Sequence, residues 1–333
     1  MNRIAIVNSS SFGQIFTQHL DRLKEIGEVS FFHFPQDISG KDLAEALKDY
    51  NFIIASVSPY FTSEFFDHHP GCKIISRHGI GYNNVDIQAA SKHHTYVSIV
   101  EGIVEQDAVA ENAIALLMNC TRRQDAAIQA VKHDLWKTRA SYLGYQVRNK
   151  TVGVIGFGNI GSRVGSILKN GFNCRVLAYD PNLTNHQIIE NGAIPVSLDE
   201  CISQADILSL NAYLTKDNYH MISHEAISKM KKSVIIINTA RGELIDQTAL
   251  LHGLETGQIF AYGSDVVEGE PIDHTHPLLS HPHVIITPHI SAYTHECLEL
   301  MGDKCVSDCE RVANGNAPHN CVNLNQIESA ENT

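Results

Sequence analysis

The sequence predicts an α/β protein with two domains, each built on a parallel sheet. Three observations predict it: two separate alternations of short apolar strands with helix-patterned segments, a glycine-rich turn near the start of the second, and a length of 333 residues, enough for two cores. In the first hundred or so residues RIAIV, VSFFHF, NFIIASV and CKIIS read as strands, with helices running toward Lys24 and near Asp42 to Asp49. The stretch AVAENAIALLMNCTRR then places Val109, Ala113, Leu116 and Leu117 at helical intervals, as a core or interface helix would. From Thr151 the second alternation runs TVGVI, RVLAY, DILSL, SVIIIN, IFAYGSDV and VIITP, which gives about six strands. The segment from about Tyr293 to Val312 has helical character, and the closing NQIESAENT is polar and expected to be disordered.

The turn is VGVIGFGNIG, Val152 to Gly161. It sets Gly156, Gly158 and Gly161 at G-x-G-x-x-G spacing behind an apolar strand and ahead of the helix-patterned IGSRVGSILKNGF. In that context the glycines serve a tight turn, close approach of a pyrophosphate to the backbone, and close packing of the following helix. The N–H groups of that helix, from Asn159 and Ile160 onward, face the anion. A glycine-rich turn that binds nothing would not need the second strand, CRVLAY, to end on an acid. Here it ends at Asp180, nineteen residues past Gly161. A carboxylate there accepts hydrogen bonds from the adenosine ribose and repels a 2′-phosphate, so the expected cofactor is NAD(H) rather than NADP(H).

Composition excludes several classes. The formal charge is −12, with 37 acidic against 25 basic side chains and no basic run, so a nucleic-acid partner is not expected. The apolar stretch in MNRIAIVNSSSFGQ is too short for a signal peptide and no run approaches a membrane span, which makes a cytoplasmic protein without membrane contact the expectation. Eight cysteines without a CxxC pair suggest buried, reduced thiols. Of nineteen histidines, His274, His276, His281, His283 and His289 crowd one stretch, but Pro277, Pro282 and Pro288 break any face that could present ligands, and no metal is expected.

Five further segments, taken with the turn, resemble the D-isomer-specific 2-hydroxyacid dehydrogenase family over nearly the whole chain. They are RHGIGYNNVD (Arg77 to Asp86), AVAENA (Ala108 to Ala113), INTARGELID (Ile237 to Asp246), GSDVVEGEP (Gly263 to Pro271) and ITPHISAYT (Ile286 to Thr294). The resemblance implies a Rossmann NAD-binding domain inserted into a flavodoxin-like substrate domain. Its boundaries would be 1–104 with 294–325 for the substrate domain, 105–293 for the NAD-binding domain and 326–333 for a disordered tail. It also implies a site in the cleft between the domains, and a homodimer formed largely through the cofactor domains.

The activity implied is hydride exchange between NAD(H) and a small 2-oxo or 2-hydroxy acid. By its match to the family motif His289 is the acid/base, a role suited to an imidazole that titrates near neutrality. Glu270 supports it, and Arg241 binds the substrate carboxylate with a planar, permanently charged fork. Backbone N–H groups around His78, Gly79 and Ile80 complete the carboxylate cradle. Asp265 orients the nicotinamide carboxamide, and Thr239 and Ala240, with Arg241 and His289, line the ring. Taken singly, His289, Arg241 and Glu270 are better read as an ordinary loop histidine, a helix-capping or surface arginine and a loop acid before a proline; the joint pattern favours catalysis.

The chain also departs from the family pattern. Asn211, Ala212, Tyr213, Leu214 and Thr215 stand where a His-x-Pro-Leu-Thr run is common, and VSIVEGIVEQDAVAE lacks the usual Asn and Pro. ASVSPYFTSEFF (Ala55 to Phe66) carries no basic side chain, which disfavours a phosphorylated substrate, with Arg77 and His78 as the remaining candidates to hold one. Tyr60, Phe61 and Tyr213 could form an apolar pocket for a branched or aromatic 2-oxo acid, or simply pack. Two alternatives share the motifs: a dinucleotide-sensing corepressor or scaffold on the same fold, and formate or phosphite dehydrogenases. Formate enzymes usually carry Gln at the position of Glu270, and phosphite enzymes a lysine in the Arg77 loop.

Overall fold

The structure, a computed structural model, describes residues 2–331. It divides into two compact units, Met1–Glu105 with Tyr293–Thr333, and Gln106–Ala292. Each is a parallel sheet with helices on both faces.

In the first unit β1 (Asn2–Val7), β2 (Gly27–Phe32), β3 (Phe52–Ala55), β4 (Ile74–Arg77) and β5 (Tyr96–Ser98) are ordered β2-β1-β3-β4-β5, the flavodoxin-like arrangement. The strands β3 and β4 are buried at every residue, as expected of a parallel sheet covered on both sides. Leu43, Leu47, Phe61, Phe65 and Phe66 cover one face; Phe12, Leu23, Cys305, Val306 and Cys309 cover the other. The helix His295–Ala313 therefore returns to the sheet of the first unit. It is pinned there by Asp308, fully buried, whose carboxylate accepts from Ser76 Oγ at 2.9 Å, Ser98 Oγ at 2.6 Å and His319 N at 3.1 Å and pairs with Lys304 Nζ at 2.5 Å.

Two expectations change in this unit. The tail expected to be disordered from residue 326 is helical over Leu324–Glu331; residues 332–333 lie outside the described residues. One apolar anchor in a polar stretch accounts for it. Ile327 is buried, Ser91 Oγ donates to Gln326 Oε1 at 2.6 Å, and Asn323 bonds the main chain of Thr95 and Val97 at 2.9 Å each. Phe61 is fully buried against Phe65 at 5.0 Å between ring centroids, so it is core rather than pocket lining, whereas Tyr60 and Tyr213 are exposed.

In the second unit the order is β12-β11-β10-β9-β6-β7-β8, with β6 (Thr151–Ile155), β7 (Arg175–Tyr179), β8 (Ile194–Pro195), β9 (Ile207–Leu210), β10 (Val234–Asn238), β11 (Ile259–Ser264) and β12 (Val284–Ile286). This is the Rossmann winding. The chain runs outward from β6 through β7 and β8, then returns to β9 on the other side of β6, and the crevice at that reversal lies at the C-terminal ends of β6 and β9. The two-residue β8 is the strand the sequence does not reveal. The long helix Gly102–Arg122 contributes Ala113, Leu116, Leu117 and Cys120 to the core beneath the sheet.

All eight cysteines are free and seven are buried; burial pushes the thiols of Cys72, Cys120 and Cys201 up to about 12, which keeps them protonated and inert. Among the described residues no helix is long and apolar enough to cross a membrane, and no group of three or more His, Cys, Asp or Glu side chains is placed to hold a metal. His276 and His283 of the histidine-rich stretch serve local structure instead: His276 Nδ1 accepts from Leu278 N at 3.4 Å, and His283 Nδ1 lies 2.6 Å from Phe260 O.

Candidate active site

The glycine turn sits between β6 and the helix Asn159–Phe172. Gly156 has φ +82°, and a Cβ there would lie 2.6 Å from Ala212 N; a Cβ on Gly161 would lie 2.0 Å from Gly156 O. Both positions are closed by the fold itself. At Gly158, by contrast, an added Cβ meets nothing within 4 Å, so this glycine keeps open the space in front of the helix N-terminus. Asp180, just past β7, accepts from Phe157 N at 2.8 Å through Oδ2 and from Asn182 N at 2.9 Å through Oδ1. The carboxylate is thereby fixed against the turn, with lone pairs left on both oxygens.

Past β10 the chain turns sharply, and fully buried Asn238 shapes the turn: Nδ2 donates to Arg241 O at 2.9 Å and Oδ1 accepts from Ala240 N at 3.0 Å. Arg241 Nη1 donates to Ala240 O at 2.6 Å, the one hydrogen bond of its guanidinium among the described residues, which leaves most of the fork available. A Cβ on the next residue, Gly242, would lie 2.0 Å from Glu268 N, so this turn and the loop carrying Glu270 are in backbone contact. Glu270 Oε2 accepts from Val267 N at 3.0 Å, and Oε1 meets His289 Nδ1 in a short contact. Burial alone would raise this carboxyl. The His289 hydrogen bond and charge, the Val267 N–H and the Arg241 charge together outweigh burial and hold it below its ordinary value. With Nδ1 taken, Nε2 is the imidazole nitrogen left to exchange a proton with a ligand.

His289 has a left-handed backbone, φ 56°, which a non-glycine residue holds only when its surroundings impose it. Asp265, 1% exposed, imposes it. His289 N donates to Asp265 O at 3.0 Å. The carboxylate takes Thr287 Oγ1 at 2.5 Å and Ile290 N at 2.9 Å on Oδ1, and Ser291 N at 2.7 Å and Ser291 Oγ at 2.5 Å on Oδ2. The side chain assigned to the cofactor carboxamide is thus directed at the loop that carries His289, with four donors already in place.

In the first unit His78, Gly79 and Ile80 follow β4. The main chain is engaged at three points: His78 N donates to Ala55 O at 3.0 Å, Val100 N donates to Gly79 O at 3.1 Å, and Ile80 N donates to Glu105 Oε1 at 3.1 Å. The Ile80 N–H, expected to hold a substrate carboxylate, here holds a carboxylate of the protein.

A family model described as the NAD binding domain of D-isomer specific 2-hydroxyacid dehydrogenases matches residues 114–291, and a glyoxylate reductase of Korarchaeum cryptofilum is 33% identical over 312 residues, 93% of each chain. The chain belongs to the D-isomer-specific 2-hydroxyacid dehydrogenase family. A glyoxylate reductase of Thermococcus litoralis is 31% identical over 95% of this chain and 97% of that one. The crystal structure of a D-lactate dehydrogenase from Aquifex aeolicus, complexed with NAD and lactic acid, matches with a TM-score of 0.81 at 27% identity, covering 98% of each chain. Like its relatives, this 2-hydroxyacid dehydrogenase is an NAD-dependent oxidoreductase that interconverts 2-oxo and 2-hydroxy acids.

The residues present fit NAD. The open side of Gly158 and the anchored Asp180 suit a pyrophosphate and a ribose, and two buried polar atoms at the strand ends, Asn211 Oδ1 and Thr239 Oγ1, have no partner within the protein. Sequence reasoning missed Asn238, Thr287 and Ser291. The signal available for Asn238 was a lone amide closing the apolar run VIIIN; Thr287 and Ser291 gave none, because their partner lies more than twenty residues away.

Proposed function

We propose that this enzyme reduces a small 2-oxo acid of the glyoxylate class with NADH, with Arg241 as the carboxylate anchor and His289 as the proton donor. The observation that carries the reading is the Glu270–His289 pair, an imidazole whose Nδ1 is held by a carboxylate and whose Nε2 is left to the ligand, in the same unit as the glycine turn and Arg241. The naming of several relatives as glyoxylate reductases supports the substrate class.

When bound, reduced nicotinamide supplies the hydride that adds to the carbonyl carbon. The guanidinium of Arg241 binds the carboxylate and polarises the carbonyl oxygen. His289 delivers a proton from Nε2 to that oxygen as negative charge builds on it, and Glu270 steadies the imidazolium before transfer. In the oxidative direction the same groups act in reverse. Asp180 receives the adenosine ribose. Asp265 keeps His289 in its left-handed conformation.

We also infer a homodimer: Ile128, Val131, Leu135, Trp136 and Leu143, between residues 128 and 143, are all exposed, and a second copy would cover them. The buried, protonated thiols suit the reducing cytoplasm.

The test is NADH oxidation against glyoxylate, hydroxypyruvate, pyruvate, phenylpyruvate, branched 2-oxo acids and 3-phosphohydroxypyruvate, with wild type and His289→Ala. Glyoxylate or its short-chain neighbours should give the highest kcat/KM, and the variant should lose roughly two to four orders of magnitude in kcat while still binding NADH. Unchanged turnover in His289→Ala would sink the assignment.

A further inference from the structure

Glu270 reaches His289 from a tight turn. Glu270 N donates to Val267 O at 3.1 Å, which closes the turn 267–270, and Gly269 holds its left-handed position with φ 78°. The Glu270 carboxylate folds back to accept from Val267 N at 3.0 Å, so the placement of this turn decides where the carboxylate meets His289 Nδ1. Between Val267 and Gly269 stands Glu268, whose side chain has no part in the proposed chemistry.

Both oxygens of Glu268 are held by neighbouring residues of one segment. Tyr219 OH donates to Oε1 at 2.7 Å, and His220 Nε2 lies 2.9 Å from Oε2, as donor, since a carboxylate only accepts. The two rings stack with centroids 3.9 Å apart and planes inclined by 20°, which sets their donors side by side. The segment itself stands on the turn that carries Arg241. His220 N donates to Glu243 O at 2.8 Å, Ile222 N donates to Leu244 O at 3.0 Å, and Ile222 and Leu244 are fully buried. An ion pair with side chains 30% and 27% exposed, as His220 and Glu268 are, contributes little to stability. Two donors converging on one carboxylate from a fixed base do, however, define where that side chain and its turn lie.

We propose that Tyr219 and His220, acting through Glu268, are positioning residues for Glu270. They hold the turn 267–270 against the Arg241 turn and so keep the Glu270 carboxylate on His289 Nδ1. Released from its two donors, the turn shifts, and the hydrogen bond that steadies the imidazolium lengthens. The inference rests on the part given to Glu270 under the proposed function.

Steady-state kinetics, NADH titration and thermal melts of wild type, His220→Phe, Glu268→Ala, Glu268→Gln, Glu270→Gln and the double variant His220→Phe with Glu270→Gln test it. His220→Phe keeps a ring to stack on Tyr219 and removes the donor. Glu268→Gln keeps an oxygen for Tyr219 and offers an amide N–H to His220 in its other tautomer. His220→Phe and Glu268→Ala should each lose about three- to tenfold in kcat, with KM for the 2-oxo acid, NADH affinity and melting temperature close to wild type. Glu268→Gln should restore kcat to within about twofold of wild type. Added to Glu270→Gln, His220→Phe should cost no more than about a further twofold, because the ion pair it positions is already gone. A Glu268→Gln protein as impaired as Glu268→Ala, a fully additive double variant, or a melting temperature that falls in parallel with kcat would overturn the brace. So would unchanged kcat in His220→Phe beside an impaired Glu270→Gln. Wild-type turnover in Glu270→Gln would overturn the part of Glu270 itself, and the brace with it.

Discussion

Asp265 holds His289 through the main chain, His289 N to Asp265 O at 3.0 Å, and through its carboxylate, which takes Thr287, Ile290 and Ser291 on either side of the histidine. A left-handed residue on a loop needs such a clamp, since the strain of that conformation is borne by the bonds around it. Ser291→Ala removes one of the four donors and should cost about 1 kcal/mol of stability. Asp265→Ala strands all four and should cost about 3 kcal/mol or more. Both should lower kcat more than they weaken NADH in a fluorescence titration. The opposite pattern, weaker NADH with kcat preserved, would place the carboxylate on the cofactor.

The glycine turn separates folding from binding. Gly161→Ala puts a Cβ 2.0 Å from Gly156 O and should destabilise the protein by about 2 kcal/mol or more, read as a lower melting temperature. Gly158→Ala meets no protein atom within 4 Å, so its melting temperature should match wild type while NADH affinity falls by about tenfold or more. A Gly158→Ala protein that binds NADH normally would show that the pyrophosphate does not pass there.

Much of this was legible in the sequence. Parallel strands buried on both faces read as unbroken apolar runs, which is why NFIIASV and SVIIIN identify themselves. The strands β5 and β8 did not, because three and two residues carry too little pattern. Arg241, Glu270 and His289 were legible only through motifs, since no periodicity joins residues on three separate loops. The clamp on His289 and the bond from Ile80 to Glu105 were not legible, because each pairs groups twenty or more residues apart through a geometry that only the folded loops define.

The carboxylate of Glu270 gives a pH dependence whose sign is fixed. Its value in the folded protein is below the ordinary one, so its stabilising contribution is present in full above the ordinary carboxylate range and is lost as pH falls through the lowered value. Wild type should therefore be more stable than Glu270→Gln at neutral pH, with the difference shrinking on acidification, in urea melts across that range. A difference that grows in acid would contradict the pairing. At neutral pH the variant should also lose at least about tenfold in kcat, as the imidazolium loses its partner.

Asp180 should decide between the two nicotinamide dinucleotides. Anchored by Phe157 N and Asn182 N, its carboxylate cannot swing away from a 2′-phosphate, so NADPH should serve poorly. Asp180→Ser should raise the NADPH-to-NADH ratio of kcat/KM by about tenfold or more, read in initial rates with a fixed 2-oxo acid. Equal use of both dinucleotides by wild type would remove Asp180 from that role.

Glu105 offers a test of the proposed part of Ile80 in the carboxylate cradle. It is 9% exposed, and its Oε1 accepts from Ile80 N at 3.1 Å, the N–H that a substrate carboxylate would take. One amide hydrogen does not serve two carboxylates well, and two like charges brought close together repel. If the Ile80 N–H is part of the substrate cradle, as the family resemblance implies, an anionic substrate has to compete with Glu105 for it. Glu105→Gln keeps an oxygen for the Ile80 N–H and removes the charge, so KM for the 2-oxo acid should fall by roughly three- to tenfold with kcat nearly unchanged. Raising the salt concentration should narrow the gap between wild type and variant by only a little, because buried charges are poorly screened. A KM that rises in Glu105→Gln would show instead that the carboxylate assists the substrate, and would overturn the competition for the Ile80 N–H.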